Sequence, residues 1–262
     1  MQEPETRIPS ATLKELLDLK AEQYNCLDFI ADDPIQIPHR FSKKEDIEIA
    51  GFLASIIAWG QRKTIINNAT RLMEWMEDSP HDFLMNMEVS DLERFTPFVH
   101  RTFNGEDCRY FIQRLSEIYR NEGGLEGTLG ALVAKHGTEQ GLSKFKALFF
   151  RGEHPHRTKK HLADPLKGST AKRLNMYLRW MVRKDKHGVD FGIWPSVPMS
   201  SLSLPLDVHT GRIARQLGLL KRKQNDWKAV AEIDAMLRSF DPNDPAKYDF
   251  ALFGMGVSGE LG

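Results

Sequence analysis

The stretch LKGSTAKRLNMYLRWMV, residues 166–182, places a glycine turn directly before a segment of helical apolar spacing. Five apolar residues recur at i, i+3, i+4, i+7 and i+8: Leu174, Tyr177, Leu178, Met181 and Val182. This spacing gathers apolar side chains on one face of an α-helix, since each residue turns the helix by about 100°. The stretch therefore predicts a turn followed by an amphipathic helix with Lys172 in its first turn, nearly opposite the apolar stripe and beside Arg179 and Arg183.

The same helical spacing recurs elsewhere, whereas long alternating runs typical of strands do not occur. One stripe comprises Ile49, Phe52, Leu53, Ile56 and Ile57, and another Trp227, Val230, Ile233, Leu237 and Phe240. The first predicts a central, buried helix because alanines flank it, and the second a helix that ends at Asp241-Pro242. The sequence thus predicts an all-α protein of about ten helices, interrupted at Gly123-Gly124 and over residues 188–205.

Three pairs of residues carry signals for helix starts. Thr12 with Glu15 and Ser42 with Glu45 fit the S/T-x-x-E capping box, in which two backbone donors at a helix start are satisfied reciprocally. Asp244-Pro245 fits an N-cap followed by a proline in the first helical position. We therefore expect helices to begin at these three places.

Composition limits the classes of protein to be considered. The 262 residues are enough for one large or two small domains, and the two cysteines, Cys26 and Cys108, cannot form a disulfide framework or a four-cysteine metal site. No basic, apolar leader and no run of about 18 apolar residues occurs. We expect a cytoplasmic protein without a membrane span.

Charge is distributed unevenly although its formal sum is zero. Residues 1–100 carry 18 acidic against 10 basic side chains, whereas residues 151–228 carry 17 basic against 6 acidic ones. An excess of eleven positive charges predicts a basic lobe that could bind a polyanion. A lysine-rich surface that is merely solvated accounts for the charges equally well.

Lys172 and Asp207 are the candidate reactive residues. An amine at a helix start, near other cations and partly buried, would favour its neutral, nucleophilic form, although a solvated lysine is the simpler interpretation. Asp207, in Pro-Leu-Asp-Val-His, stands where a helix begins, so capping alone also explains it. The three histidines His154, His156 and His161 lack carboxylate or cysteine partners at a recognisable spacing, so we expect no metal and no cofactor.

These residues resemble a known superfamily. The Leu-x-Gly-x-x-x-Lys turn, the Pro-Leu-Asp-Val-His start of a basic helix and the apolar helix that ends in Trp59-Gly60-Gln61 resemble the helix-hairpin-helix DNA glycosylases. More narrowly, residues 172–183 and 244–251 are similar to an uncharacterised bacterial family distantly joined to that superfamily. The resemblance covers roughly residues 42–75 and 160–256.

The resemblance implies an architecture of two helical subdomains that flank a groove. Residues 1–41 would be an N-terminal helical extension, and residues 42–262 would form the glycosylase-like domain. Within that domain residues 160–256 would hold the hairpin and the catalytic region, and residues 76–159 a helical region that the resemblance does not place. The iron–sulfur cysteines of endonuclease III are missing, so the chain resembles the branch without a cluster.

The resemblance also implies roles for single residues. Lys172 would form a Schiff base with the sugar, Asp207 would assist departure of the base, and Gln61 would fill the gap left by the extruded nucleotide. Thr170 stands where the hairpin usually has a second glycine. The residues expected to contact nucleic acid are Gln61, Lys167, Gly168, Ser169, Thr170, Arg173, Arg179, His209, Arg212 and Arg215. Trp59, Trp180 or Trp194 could stack on the flipped base.

The function implied is base-excision repair of damaged double-stranded DNA by a glycosylase with AP-lyase activity, an oxidised purine being one candidate base. A non-catalytic DNA- or RNA-binding protein on the same scaffold is the alternative. A helical protein whose basic lobe meets an acidic partner is a third interpretation. The sequence does not indicate an oligomeric state.

Overall fold

The computed structural model describes residues 10–260, and these form an all-α protein. The α-helices are α1 (Ser10–Tyr24), α2 (Asp28–Ala31), α3 (Lys44–Ile56), α4 (Arg62–Trp75), α5 (Pro80–Asn86), α6 (Gly105–Asn121), α7 (Ala131–Phe149), α8 (Lys172–Val182), α9 (Val208–Gln216), α10 (Trp227–Phe240) and α11 (Tyr248–Ser258). Two short antiparallel strands, β1 (Val99–His100) and β2 (Phe103–Asn104), form a hairpin with Val99 opposite Asn104. The predicted all-α class is confirmed.

Short 3-10 helices connect several of these elements. They span Pro34–Gln36, Pro38–Arg40, Val89–Phe95, His156–His161, Pro165–Lys167, Met199–Ser201 and Pro245–Lys247, and a π-helical turn spans Glu126–Gly130. The predicted breaks at Gly123-Gly124 and in residues 188–205 separate helices as expected, because α6 ends before the first and α8 before the second. Across residues 10–260 no helix combines the length and apolarity that a membrane span requires.

Helix α3 is the centre of the core, as its apolar stripe predicts. All of its residues from Ile47 to Ile56 are buried, and it packs against α8, α4 and α5. The Phe52 ring meets Tyr177 of α8 edge to face at a centroid distance of 5.5 Å. Gly51 allows this close approach, because a Cβ at that position would lie 3.1 Å from Met181 Cε. Two of the three apolar stripes thus pack directly on each other.

Helix α8 is buried on every side rather than on one face. Every residue from Leu174 to Val182 is buried, including Arg179, and Arg183 just beyond the helix is buried as well. The expectation that Arg179 and Arg183 share a solvent-facing side is therefore wrong. Their guanidinium groups face carboxylates inside the protein: Arg179 and Arg183 both contact Asp190, each at 3.2 Å. A paired buried charge is tolerated where a single one is not.

Helix starts are predicted less well than helix bodies. Helix α1 already runs through Thr12, and α3 follows Lys43, which has extended backbone and no side-chain capping bond, so neither predicted capping box marks a start. Asp207 does cap α9, because its Oδ1 accepts a hydrogen bond from the Thr210 amide at 2.9 Å. Asp244 precedes Pro245 and a 3-10 turn that leads into α11.

The N-terminal segment is part of the same body. Helix α1 packs along α11, which in turn packs on α9, and residues 34–40 pack against α3. Helix α10 runs from Trp227 to Phe240, the span its stripe predicts. These contacts bring α1, α9 and α11 together.

Candidate active site

A cavity of about 520 Å³ opens where five segments of the chain meet. These segments are residues 29–34, the loop 58–62, the first two turns of α8, the start of α9 and the middle of α11. Its walls are largely aromatic or apolar and include Phe29, Trp59, Met176, Pro205 and Phe253. A concave, mostly apolar pocket with a few polar groups is the usual form of a binding site for a small organic group.

Lys172 and Asp207 meet in this cavity. Lys172 Nζ lies 3.8 Å from Asp207 Oδ2, and the two side chains are 27% and 24% exposed. Both residues stand at helix starts, Lys172 as the first residue of α8 and Asp207 as the N-cap of α9, so two rigid elements hold the pair. The expectation that these two side chains face each other, although 35 residues apart in the chain, is confirmed.

The two oxygens of the Asp207 carboxylate make different contacts. Oδ1 accepts the Thr210 amide and thereby satisfies one of the backbone donors at the start of α9, while Oδ2 is the atom that faces Lys172. Capping therefore explains part of this residue but leaves the second oxygen directed toward the amine. The capping bond also fixes the orientation in which that oxygen is presented.

The glycine turn lies just outside the cavity. Gly168 has φ +86°, in the left-handed region that favours glycine, and its carbonyl accepts a hydrogen bond from the Trp227 amide at 3.2 Å. Lys167, Gly168 and Ser169 are exposed, and Thr170 is half-buried with its carbonyl bound to Asn175 Nδ2 at 3.0 Å. The turn is thus tied to the start of α10.

The predicted phosphate contact at Arg179 is wrong, and Arg173 is half-buried with its guanidinium bound to backbone carbonyls. Arg179 is 3% exposed and binds Asp190 and Asp249, so it cannot reach a phosphate backbone outside the protein. Arg173 donates to the Ile56 carbonyl and, at 3.0 Å, to the His161 carbonyl. Both residues line the deep part of the cavity instead, because neighbouring helices cover the side of α8 that a lone helix would show to solvent.

The other predicted contacts lie at the start of α4 and on α9. Gln61 is exposed at the N-cap position of α4, and His209 is exposed and lines the cavity. Arg212 is exposed on α9. Arg215 is half-buried and donates to the Arg222 carbonyl at 2.8 Å and to Asn225 Oδ1 at 2.6 Å, which ties the loop after α9 to this helix.

Of the three tryptophans considered for stacking, only Trp59 lines the cavity. Trp180 and Trp194 are fully buried in the core, so their expected stacking role is wrong. The Trp194 indole N–H donates to Glu48 Oε1 at 2.7 Å, which accounts for its polar atom. Trp59 lies under the Arg101 guanidinium at 5.1 Å, next to the tip of the hairpin.

Sequence reasoning missed two carboxylates deep in the cavity, Asp33 and Asp249. Burial raises the pKa of both, that of Asp249 to about 6, and the nearby Arg179 charge opposes the rise in each case. Asp249 could have been recognised from the sequence, because it is a single carboxylate in the otherwise apolar run of α11 and buried carboxylates are rare unless they have a partner. Asp33 gave no such signal, because its N-capping bond to the Ile35 amide is an ordinary local one.

The histidine cluster does not gather around a metal. His161 is buried with Nε2 3.2 Å from Asp107 Oδ2, whereas His154 is bound to the Gly152 carbonyl at 2.7 Å. Within residues 10–260, no three histidine, cysteine or carboxylate side chains are grouped as a metal ion would need.

Comparisons with known proteins give one finding. The model of a family described as "Protein of unknown function (DUF2400)" matches residues 33–258. No curated protein and no solved structure matches the chain in these comparisons. The matched range begins at Asp33 and includes Lys172, Asp207 and Asp249.

Proposed function

We propose that this chain, which belongs to the DUF2400 family, is a DNA base-excision glycosylase with AP-lyase activity and a helix-hairpin-helix glycosylase-like fold. One observation carries the proposal: an amine and a carboxylate 3.8 Å apart line a cavity large enough for a nucleobase. A base inside a duplex is out of reach, so an enzyme that acts on it must extrude the nucleotide into such a pocket.

The cavity suits an extruded base in shape and chemistry. Phe29, Trp59 and Phe253 supply aromatic surfaces on which a planar base could stack. The reactive pair lies beside these walls, so a base held among them would keep its sugar near the amine. Gln61 lies two residues after Trp59 in the same loop and would occupy the gap in the stack.

The chemistry needs Lys172 as an uncharged amine. Asp207 Oδ2 is placed to take the proton of that amine and then to stabilise positive charge on the sugar. Nζ forms a bond to the anomeric carbon while the bond from that carbon to the base breaks, and the base leaves with the electron pair and gains a proton. Ring opening, in which the ring oxygen takes the remaining amine proton, then gives an imine. Loss of a proton from the neighbouring C2′ expels the phosphate oxygen on C3′ with its bonding pair, and this cuts the strand.

An electropositive surface beside the cavity would hold the DNA. Lys167 and the Gly168 turn adjoin the start of α10. The segment before this helix carries exposed lysines at 221 and 223, and the first turn of the helix carries another at 228. These lysines are the candidates for phosphate contact in place of Arg179, which is buried, and Arg173, whose guanidinium is bound to two backbone carbonyls. Affinity from such contacts falls steeply with salt, because bound phosphates release condensed counterions.

Borohydride trapping on duplex DNA with an abasic site tests the proposal. The wild-type chain should give a covalent adduct, and Lys172→Ala should abolish it. Lys167→Ala is the matched control, because this lysine is exposed in the same turn and does not line the cavity. It should weaken DNA binding without preventing the adduct.

Asp207→Asn separates capping from catalysis. Asparagine caps a helix about as well as aspartate, so the variant should fold normally, yet it should form the adduct about 100-fold more slowly. Salt-dependent binding of DNA or RNA without an adduct would contradict the enzymatic proposal and support a non-catalytic binding protein. Absence of any binding would overturn both and favour a helical interaction protein.

A further inference from the structure

The β1–β2 hairpin contacts the loop that carries Trp59 into the cavity. It belongs to residues 76–159, the region that the resemblance does not place, and none of residues 99–104 lines the cavity. His100 at the end of β1 is 1% exposed, whereas Arg101 at the tip is exposed. Both residues nevertheless meet Trp59, so the hairpin acts on the cavity wall from outside the cavity.

His100 uses both nitrogens of its ring. Nε2 lies 3.0 Å from the Trp59 carbonyl, which can only accept a hydrogen bond, so Nε2 carries the proton. Nδ1 lies 2.9 Å from Asn68 Nδ2, and the same amide nitrogen donates to the Val99 carbonyl at 3.4 Å. Nδ1 is therefore an acceptor, and the ring is neutral in a single tautomer. Burial lowers the pKa of His100, which favours this neutral form.

Arg101 makes the second contact from a backbone conformation that costs energy. It is the first of two residues between the paired strands, and its φ is +56°, in the left-handed region that favours glycine. Its guanidinium lies over the Trp59 ring at 5.1 Å, within the range of a cation–π contact. Glycine at this position would relieve the backbone but would leave the ring without that contact. The choice of arginine is explained if its contact with the ring matters more than an easy turn.

The Trp59 indole has no hydrogen bond of its own to hold it. Nε1 is buried without an acceptor among residues 10–260, and the backbone amide donates only locally, to the Ile57 carbonyl at 2.7 Å. The ring meets His100 edge to face at 5.8 Å, and Arg173 lies 5.9 Å from the ring centroid. Three of the contacts that fix this residue therefore come from the hairpin: the carbonyl bond, the edge-to-face contact and the Arg101 guanidinium.

We propose that His100 and Arg101 are positioning residues, through which the β1–β2 hairpin holds the Trp59 wall of the cavity in place. They act through Trp59 and touch no substrate. The inference goes beyond the proposed function, and it rests on that function only for the effect on adduct formation. A displacement of about 1 Å in the groups that position a substrate can slow a reaction about 100-fold, so the hairpin controls the rate from outside the cavity.

Exchange of the Trp59 indole N–H with water, measured by NMR, tests the positioning without DNA. The chain has five tryptophans, and the Trp59 signal is the one that Trp59→Phe removes. His100→Gln places an amide nitrogen where Nε2 lies and keeps the bond to Trp59, whereas His100→Asn places an amide oxygen where Nδ1 lies and keeps only the bond to Asn68. Exchange should be about tenfold faster in His100→Asn and within twofold of the wild-type rate in His100→Gln.

Arg101→Gly separates positioning from stability. It should unfold at the wild-type temperature or above it, because glycine accepts the positive φ, yet indole exchange should become about tenfold faster. Thr102→Gly is the matched control, because Thr102 is the other, exposed residue of the tip and should leave exchange unchanged. Equal exchange in the two His100 variants, or wild-type exchange in Arg101→Gly, would overturn the proposal.

The rate of adduct formation on abasic-site DNA gives the second readout and separates this inference from the proposed function. At saturating DNA, His100→Asn and Arg101→Gly should be about 10- to 100-fold slower than the wild type, and His100→Gln and Thr102→Gly within about threefold of it. Wild-type rates in the first two variants would reject the positioning role and leave the glycosylase standing. The expected pattern of exchange in a chain that forms no adduct would keep the positioning role and reject the glycosylase.

Discussion

Replacing Arg179 by methionine should lower the free energy of unfolding by about 3–5 kcal/mol at pH 8, since it breaks a buried ion network on one side only. The guanidinium is 3% exposed, lies 3.2 Å from Asp190 Oδ1 through Nε and binds Asp249 Oδ2 through Nη1. Asp190 keeps Arg183 at 3.2 Å, whereas Asp249 loses its only hydrogen-bond donor among residues 10–260. The loss would be a large part of a total that is typically about 5–15 kcal/mol.

The loss should depend on pH in a defined direction. Burial raises the pKa of Asp249 to about 6 although Arg179 opposes the rise, so removal of Arg179 raises it further. At pH values between the ordinary pKa of 3.8 and the raised pKa, the Asp249 carboxyl keeps its proton in the folded protein but has released it in the unfolded chain. Stability from this group therefore falls as pH rises through that window, and the window is wider in the variant. The loss should be smaller at pH 5 than at pH 8.

Urea unfolding followed by circular dichroism at both pH values measures the effect. Arg40→Met is the control, because its ion pair with Asp78 is on the surface, with side chains 36% and 52% exposed, and should contribute about 1 kcal/mol or less. A second variant with both Arg179→Met and Asp249→Asn should recover part of the loss. A loss below about 1 kcal/mol at pH 8, or one that is the same at pH 5, would refute this account of the network.

Three further predictions concern the turn, the core and the electropositive surface. Gly168→Ala should cost about 1 kcal/mol in thermal unfolding, because φ is +86° there while nothing lies within 4 Å of an added Cβ; an unchanged melting temperature would contradict this. Trp194→Phe removes the indole donor to buried Glu48 and should lower the free energy of unfolding in urea by about 1–3 kcal/mol. Adding Glu48→Gln to this variant should restore part of that loss. The affinity for duplex DNA should fall with salt, and Lys228→Ala should reduce the logarithmic slope by about 0.9, as measured by fluorescence anisotropy, whereas an unchanged slope would remove Lys228 from the interface.

The helical composition of this protein follows from local sequence patterns. Apolar residues at helical spacing identify α3, α8 and α10, because the period of a helix is a property of the backbone and needs no partner. Asp207 at a helix start and Lys172 in the first turn of α8 follow from equally local rules. The exact first residues of α1 and α3 do not, because capping competes with packing at each helix end.

The surroundings of each residue follow only from tertiary packing. The pattern of α8 identifies its apolar stripe correctly, but it cannot tell that other elements also cover the opposite side, so Arg179 becomes a buried ion partner instead of a surface contact. Trp180 and Trp194 become core residues for the same reason, while Trp59 is left at a cavity. Burial is a property of all elements together, and a single helix does not encode it.

Local sequence patterns alone are enough to predict a helical protein with an amine and a carboxylate at two helix starts. Packing of distant segments brings Lys172 and Asp207 together, places Asp33 and Asp249 in the same cavity and turns Arg179 inward. Periodicity and capping act within a few residues of the chain, whereas this cavity forms where residues more than 200 positions apart come together.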